Sequence, residues 1–178
     1  MHKLPQVALA LAVLALFTEP AARASGQASK APRVDRIVVH KGDHSLALFA
    51  GETEVFRTKV AIGPGGAGPK LQEGDKVTPV GRYHIVSKSP SRYHVFMGLD
   101  YPNAVDRARF AELKRAGTLS KDATIGGDVG IHGSPPQKVW KPLHKTVDWT
   151  LGCVAVDDDE IEAIAKRVAV GTVVDIED

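Results

Sequence analysis

Short apolar runs separated by turn residues fill the chain from Val34 onward and predict a mostly β domain. Val34 to His40 is rich in β-branched residues and reads as a strand. Lys41-Gly42-Asp43 turns the chain, Ser45 to Phe49 returns as a second strand, and Gly51-Glu52 turns again into Val55 to Ile62. Further strands are predicted over Arg82 to Ser87, Val95 to Leu99, Val129 to Ile131, Val154 to Val156 and Val173 to Ile176. Two segments read instead as helices. Asn103 to Ala116 has Asn103 as cap, Val105, Phe110 and Leu113 on one side, and Gly117 at its end. Asp157 to Val168 carries acids in its first turn and Lys166 and Arg167 in its last, the signs a helix dipole favours. Gly63 to Gly74 is Gly/Pro-rich with little periodicity, which predicts a loop, mobile or laid against a substrate. A second polar, Pro-containing connection runs from Ser134 to Lys145.

Ahead of this domain the pattern changes. Met1-His2-Lys3 is a positive start, Leu4 to Phe17 is apolar, and Ala22-Arg23-Ala24 is a small-residue tripeptide. That layout predicts a signal peptide over 1–24, cut after Ala24, then a flexible leader over 25–33 and one domain over 34–178. The other reading is a membrane anchor, but the apolar stretch falls short of the ~20 residues that a spanning helix needs. Export to the periplasm follows, with no stable membrane span after cleavage. Charge changes the picture only by exclusion. Lys and Arg number 23 against 21 Asp and Glu, so no basic field points to nucleic acid.

The chain has a single cysteine, Cys153. An unpaired thiol in an exported protein is either a reactive group or a small buried hydrophobe. Its surroundings bear on that choice without closing it. Ile131-His132-Gly133 ends one apolar strand with a histidine, and Thr150-Leu151-Gly152-Cys153 begins another with the thiol. A nucleophilic cysteine needs a base to take its proton and backbone N–H groups to receive the oxyanion. Gly152 permits close substrate approach at that turn. The base needs a partner on its other nitrogen, and a carbonyl at or near Gly133 would supply one. A satisfied core histidine is the competing reading of His132. Four other histidines read as non-catalytic: His40 and His44 flank a turn without zinc-like spacing, and His84 and His94 sit at strand rims. Trp149, Tyr83, Tyr93 and Tyr101 read as packing residues, and Asp157 to Asp159 as helix N-terminal acids rather than calcium ligands.

The order His132-Gly133, 16 residues, then Thr150-x-Gly152-Cys153-Val154 resembles the signature of the L,D-transpeptidase catalytic domain, the YkuD type. Thr78-Pro79-Val80-Gly81-Arg82-Tyr83 resembles the Thr-Pro-x-Gly-x-Tyr turn of the same family, and the likeness runs from about Arg33 to the last residue. Asp148-Trp149-Thr150-x-Gly152-Cys153, with the earlier Leu99-Asp100-Tyr101-Pro102-Asn103, resembles the version in the small single-domain murein L,D-transpeptidase-like proteins of Gram-negative bacteria. The resemblance implies a β-sandwich or mixed sheet with two helices, and an enzyme that needs no cofactor or metal. It implies Cys153 as nucleophile, His132 as proton donor and acceptor, the backbone N–H groups of Gly152 and Cys153 as oxyanion hole, and Thr150 as a lining residue; the orienting carbonyl at or near Gly133 remains the reading from the residues. The partners it implies are peptidoglycan stem peptides or a wall-attached protein. Two positions depart from the common pattern. Leu151 stands where many members have His, and Ala155 where many have Arg or Asn. Without that Arg a substrate carboxylate loses its bidentate clamp. The rival expectations are a hydrolase on the same fold, a non-catalytic peptidoglycan-binding domain, and a redox-sensing thiol.

Overall fold

The computed structural model describes residues 33–178, together with His2. The expected signal peptide over 1–24, apart from His2, and the expected leader over 25–33, apart from Arg33, lie outside the described residues. No helix among the described residues is long and apolar enough to cross a membrane.

Turn chemistry lays down the first strands. β1 (Arg36–His40), β2 (Ser45–Ala50) and β3 (Thr53–Lys59) form an antiparallel meander through Lys41-Gly42-Asp43 and Gly51-Glu52. β4 (Gly81–Ser91) and β5 (His94–Leu99) make a long hairpin, followed by α1 (Ala104–Arg115) and β6 (Gly130–His132). β7 (Val154–Ala155), α2 (Asp158–Arg167) and β8 (Val173–Glu177) complete the chain. The eight strands form one sheet in the order β3-β2-β1-β8-β4-β5-β6-β7, parallel at β1–β8 and β6–β7 and antiparallel elsewhere. Just beyond β3, Ala61 exchanges backbone hydrogen bonds of 2.9 and 2.8 Å with Ala155 of β7. The two edges of the sheet therefore meet, and the sheet curls over its core. A closed edge also leaves no unpaired ladder there for another chain to extend.

Inside the curl lie Ile37, Val39, Leu46, Leu48, Tyr83, Ile85, Met97, Ile131, Val154 and Ile176, all essentially without solvent contact. α2 presents Ile161 and Ile164 to this core and packs on β5 and β6.

α1 departs from its expected apolar side. Val105 is exposed, and the one buried residue of the helix is Asp106, whose Oδ1 accepts the Tyr83 hydroxyl at 3.2 Å. The spacing of Val105, Phe110 and Leu113 never made a continuous stripe. The helix is set by polar contacts at its first turn, where Asn103 Oδ1 accepts the N–H groups of Val105 and Asp106. β4 is also longer than predicted. It continues to Ser91 although Pro90 has no N–H, because it is paired along that stretch with β5.

Candidate active site

The register of β6 and β7 decides which side chains meet. Ile131 pairs with Val154 and His132 with Ala155, so Gly130 lies opposite Cys153. In paired strands alternate residues share a face, which puts His132 and Cys153 on the same one. Both line a cleft of about 470 Å³, with Lys70, Glu73, Tyr93, Phe96, Asp128, Trp149 and Thr150 among its walls. The two segments that sequence analysis singled out thus converge.

His132 is buried, and its Nδ1 lies 2.8 Å from the Gly133 carbonyl. A carbonyl only accepts, so Nδ1 carries the proton and Nε2 keeps the lone pair of a base. Rings fix the imidazole further. Tyr93 stacks on it at 4.6 Å and Trp149 meets it edge-on at 5.6 Å. Gly133 is required by crowding, since a Cβ there would stand 2.6 Å from the Tyr93 carbonyl and 2.7 Å from Asp158 Oδ1.

Cys153 is half-buried, and its Sγ–H donates to the Asp128 carbonyl at 3.5 Å. Burial pushes the thiol above its ordinary value, and the Asp128 charge adds to this; an N–H of Gly130 and the Lys70 ammonium act the other way. Burial likewise holds His132 below the ordinary imidazole value, helped by nearby His144 and opposed by the Gly133 hydrogen bond. Both shifts favour the uncharged forms. The resting pair is a thiol and a neutral imidazole rather than a thiolate and an imidazolium.

The turn before the thiol is held from inside. Thr150 Oγ1 donates to the Cys153 carbonyl at 2.7 Å and accepts the Gly152 N–H at 3.2 Å. Gly152 has φ +126°, and a Cβ there would lie 2.8 Å from the Val77 carbonyl. The Gly152 N–H is thus engaged by Thr150, whereas the Cys153 N–H has no backbone acceptor among the described residues.

The Gly63 to Gly74 loop is not loose. Asp75 accepts the N–H groups of Leu71, Gln72 and Val77 at 2.8 to 3.1 Å and the Lys70 ammonium at 2.5 Å. Burial opposes the charge, but these four donors hold the Asp75 carboxyl below the usual range. Thr78 of the Thr-Pro turn ties the loop to the site, since its Oγ1 accepts the Gly63 N–H at 3.0 Å. The structure therefore lays Lys70, Glu73 and Gly74 against the cleft.

Sequence reasoning passed over Lys70 and Asp128 and read Tyr93 only as packing. Lys70 and Asp128 sit in segments without periodicity, and only the adjacency of β5 and β6 brings Tyr93 over His132. Trp149, read as packing, both packs on His132 and lines the cleft. Three other histidines stand apart in carboxylate pairs. His44 lies 3.1 Å from Asp148, His84 3.0 Å from Asp100, and His94 2.6 Å from Glu162. Ala155 is fully buried, with backbone bonds to Ala61.

Comparison with known proteins agrees on one family. The model of the YkuD family, the L,D-transpeptidase catalytic domain, matches residues 34–176. YafK of Escherichia coli (strain K12), described as a candidate L,D-transpeptidase, is 33% identical over 85 residues, which are 44% of this chain and 35% of YafK. Among solved structures, the helical cell shape determining protein Pgp2 of Campylobacter jejuni superposes with TM-score 0.61 at 25% identity, over 83% of this chain and 49% of Pgp2. Bd1075 of Bdellovibrio bacteriovorus shares the fold with TM-score 0.53 at 22% identity, over 82% of this chain and 47% of its own. The chain thus spans about half the length of these solved relatives, and less of YafK.

Proposed function

Because the chain belongs to the family of L,D-transpeptidase catalytic domains, the YkuD family, we propose that it is an exported, periplasmic acyltransferase acting on peptidoglycan stem peptides through Cys153. The observation that carries this reading is the shared cleft. The chain's one thiol and an imidazole whose Nδ1 proton is fixed on a carbonyl line the same concave surface.

The chemistry follows from the protonation states. A neutral thiol needs a base at the moment of attack, and Nε2 of His132 holds the available lone pair. Sγ bonds to the carbonyl carbon of the amide after the diamino-acid residue as its proton passes to Nε2. The Cys153 N–H receives the oxyanion, joined by the Gly152 N–H once the 3.2 Å bond to Thr150 opens. Collapse breaks the C–N bond, His132 returns the proton to the leaving amine, and a thioester remains. An amine acceptor then gives a cross-link or an attached protein, and water gives a trimmed peptide. Water as acceptor is the hydrolase form of the same reading. Burial holds His132 below the ordinary imidazole value, so the base form persists on mild acidification and turnover falls only when pH drops through that lowered value.

The test is incubation of the protein with disaccharide-tetrapeptide, with and without an amine acceptor, followed by intact-protein mass spectrometry. The expected result is an acyl adduct on Cys153 that turns over and is absent in Cys153→Ala. No adduct from folded protein with a reduced thiol would sink the proposal.

A further inference from the structure

The cleft holds a cation that the acyl-transfer chemistry above does not use. Lys70 comes from a loop, yet its side chain is only 4% exposed, and it shares the cleft with Cys153. Its Nζ lies 3.8 Å from where a Cβ on Gly152 would stand, on the side of the turn that delivers the thiol. An ammonium has three donors. Among the described residues Lys70 has one acceptor, Asp75 Oδ1 at 2.5 Å. Two N–H groups of a buried cation are therefore left, and leaving them without partners is costly.

Fastening the loop does not explain the lysine. Asp75 already binds three backbone N–H groups, and those bonds fold the loop by themselves. The arrangement runs the other way: the loop is wrapped around Asp75, and Asp75 holds the ammonium in place at the cleft wall.

We infer that Lys70 is the carboxylate anchor of the cleft, binding a free carboxylate of the peptide beside the scissile amide. The inference rests on the acyl-transfer reading for its substrate and deepens it, since it makes the enzyme selective for acids over their amides. Two carboxylates have the required chemistry: the C-terminal one of the leaving residue and the one at the far end of the diamino-acid side chain. A cation placed instead to stabilise the oxyanion would not tell an acid from an amide.

The experiment measures binding of disaccharide-tetrapeptide to Cys153→Ala protein by calorimetry. It uses the free acid and two derivatives, each amidated at one of the two carboxylates. One amidated form is expected to bind about 10- to 100-fold more weakly than the acid, the range for a hydrogen bond to a charged group, and its identity names the carboxylate. In the same background Lys70→Met removes the difference and Lys70→Arg keeps most of it. Binding of all three peptides within about twofold overturns the inference, as does a Lys70→Met protein that still discriminates. Should Lys70→Met fail to fold, the acid-to-amide ratio of Cys153→Ala and its persistence in Lys70→Arg decide. Wild-type protein that discriminates acid from amide but forms no Cys153 adduct would refute the acyl-transfer reading and leave the anchor standing. Absence of binding by any of the three peptides would refute the anchor.

Discussion

Two irregular segments flank the cleft, and they are held in opposite ways. The segment 63–78 is folded around one acid. Asp75 takes three backbone N–H groups and the Lys70 ammonium, and Thr78 takes the Gly63 N–H, so main chain is bound to side chain at close range. The segment 134–149 is held at a distance by the first turn of α2. Asp158 accepts the Ser134 N–H at 3.0 Å and pairs with Lys141, while Asp157 accepts Nε2–H of His144 and the Lys145 ammonium, each at 2.8 Å. Its apolar side chains Val139, Trp140, Leu143 and Val147 stand more than half exposed, and the His144 Nδ1 and Trp149 Nε1 are buried without partners. Loss of periodicity in a sequence therefore says nothing about rigidity. What matters is whether backbone N–H groups have an acceptor nearby.

The sharpest way to break the contrast is Asp75→Ala. It strands the Lys70 ammonium together with three backbone donors, and a loss of about 3–5 kcal/mol in urea unfolding is expected, the range for removing one partner of a buried pair. A loss under about 1 kcal/mol would mean that the acid is not the centre of its loop. Gly152→Ala comes next. The new methyl group would meet the Val77 carbonyl at a φ of +126°, and about 2–3 kcal/mol is expected from strain plus overpacking. A thermal midpoint equal to wild type would show that the 63–78 segment does not press on the thiol turn.

Lys145→Met probes the other segment, where the ammonium bonds Thr58, Asp157 and Glu160. About 1–2 kcal/mol is expected, with faster amide exchange confined to 134–149. Exchange spreading to Leu71 and Val77 would show that the segments are one unit. Trp140→Ser should change stability by no more than about 0.5 kcal/mol, as for an exposed position. A larger loss would reveal packing that its exposure does not suggest.

The strands and the two side chains that meet in the cleft, His132 and Cys153, were legible because each is announced locally. Turns at Lys41-Gly42-Asp43 and Gly51-Glu52 set the meander, Asn103 capped α1, and His132-Gly133 and Gly152-Cys153 each stood at a strand end. The family's fold and its match over 34–176 follow the same residues. What could not be read was action at a distance. Tyr93 reaches His132 only because β5 and β6 pair, and Lys70 reaches the thiol turn only because Asp75 closes a loop whose composition suggests motion. Nor could the sequence show that the acids of α2 turn outward to tether the 134–149 segment as well as serving the helix.

The hydrogen bond from Cys153 to the Asp128 carbonyl has a consequence for endurance. Thiolates, not thiols, are what peroxides oxidise and what attack disulfides, so rates of both fall with the deprotonated fraction. A solitary sulfur kept protonated, with a raised threshold for ionisation, is slow to climb to sulfenic or sulfinic acid and slow to form mixed disulfides. The same protonation that, in the proposed acyl transfer, leaves the thiol waiting for a base also lets it wait undamaged.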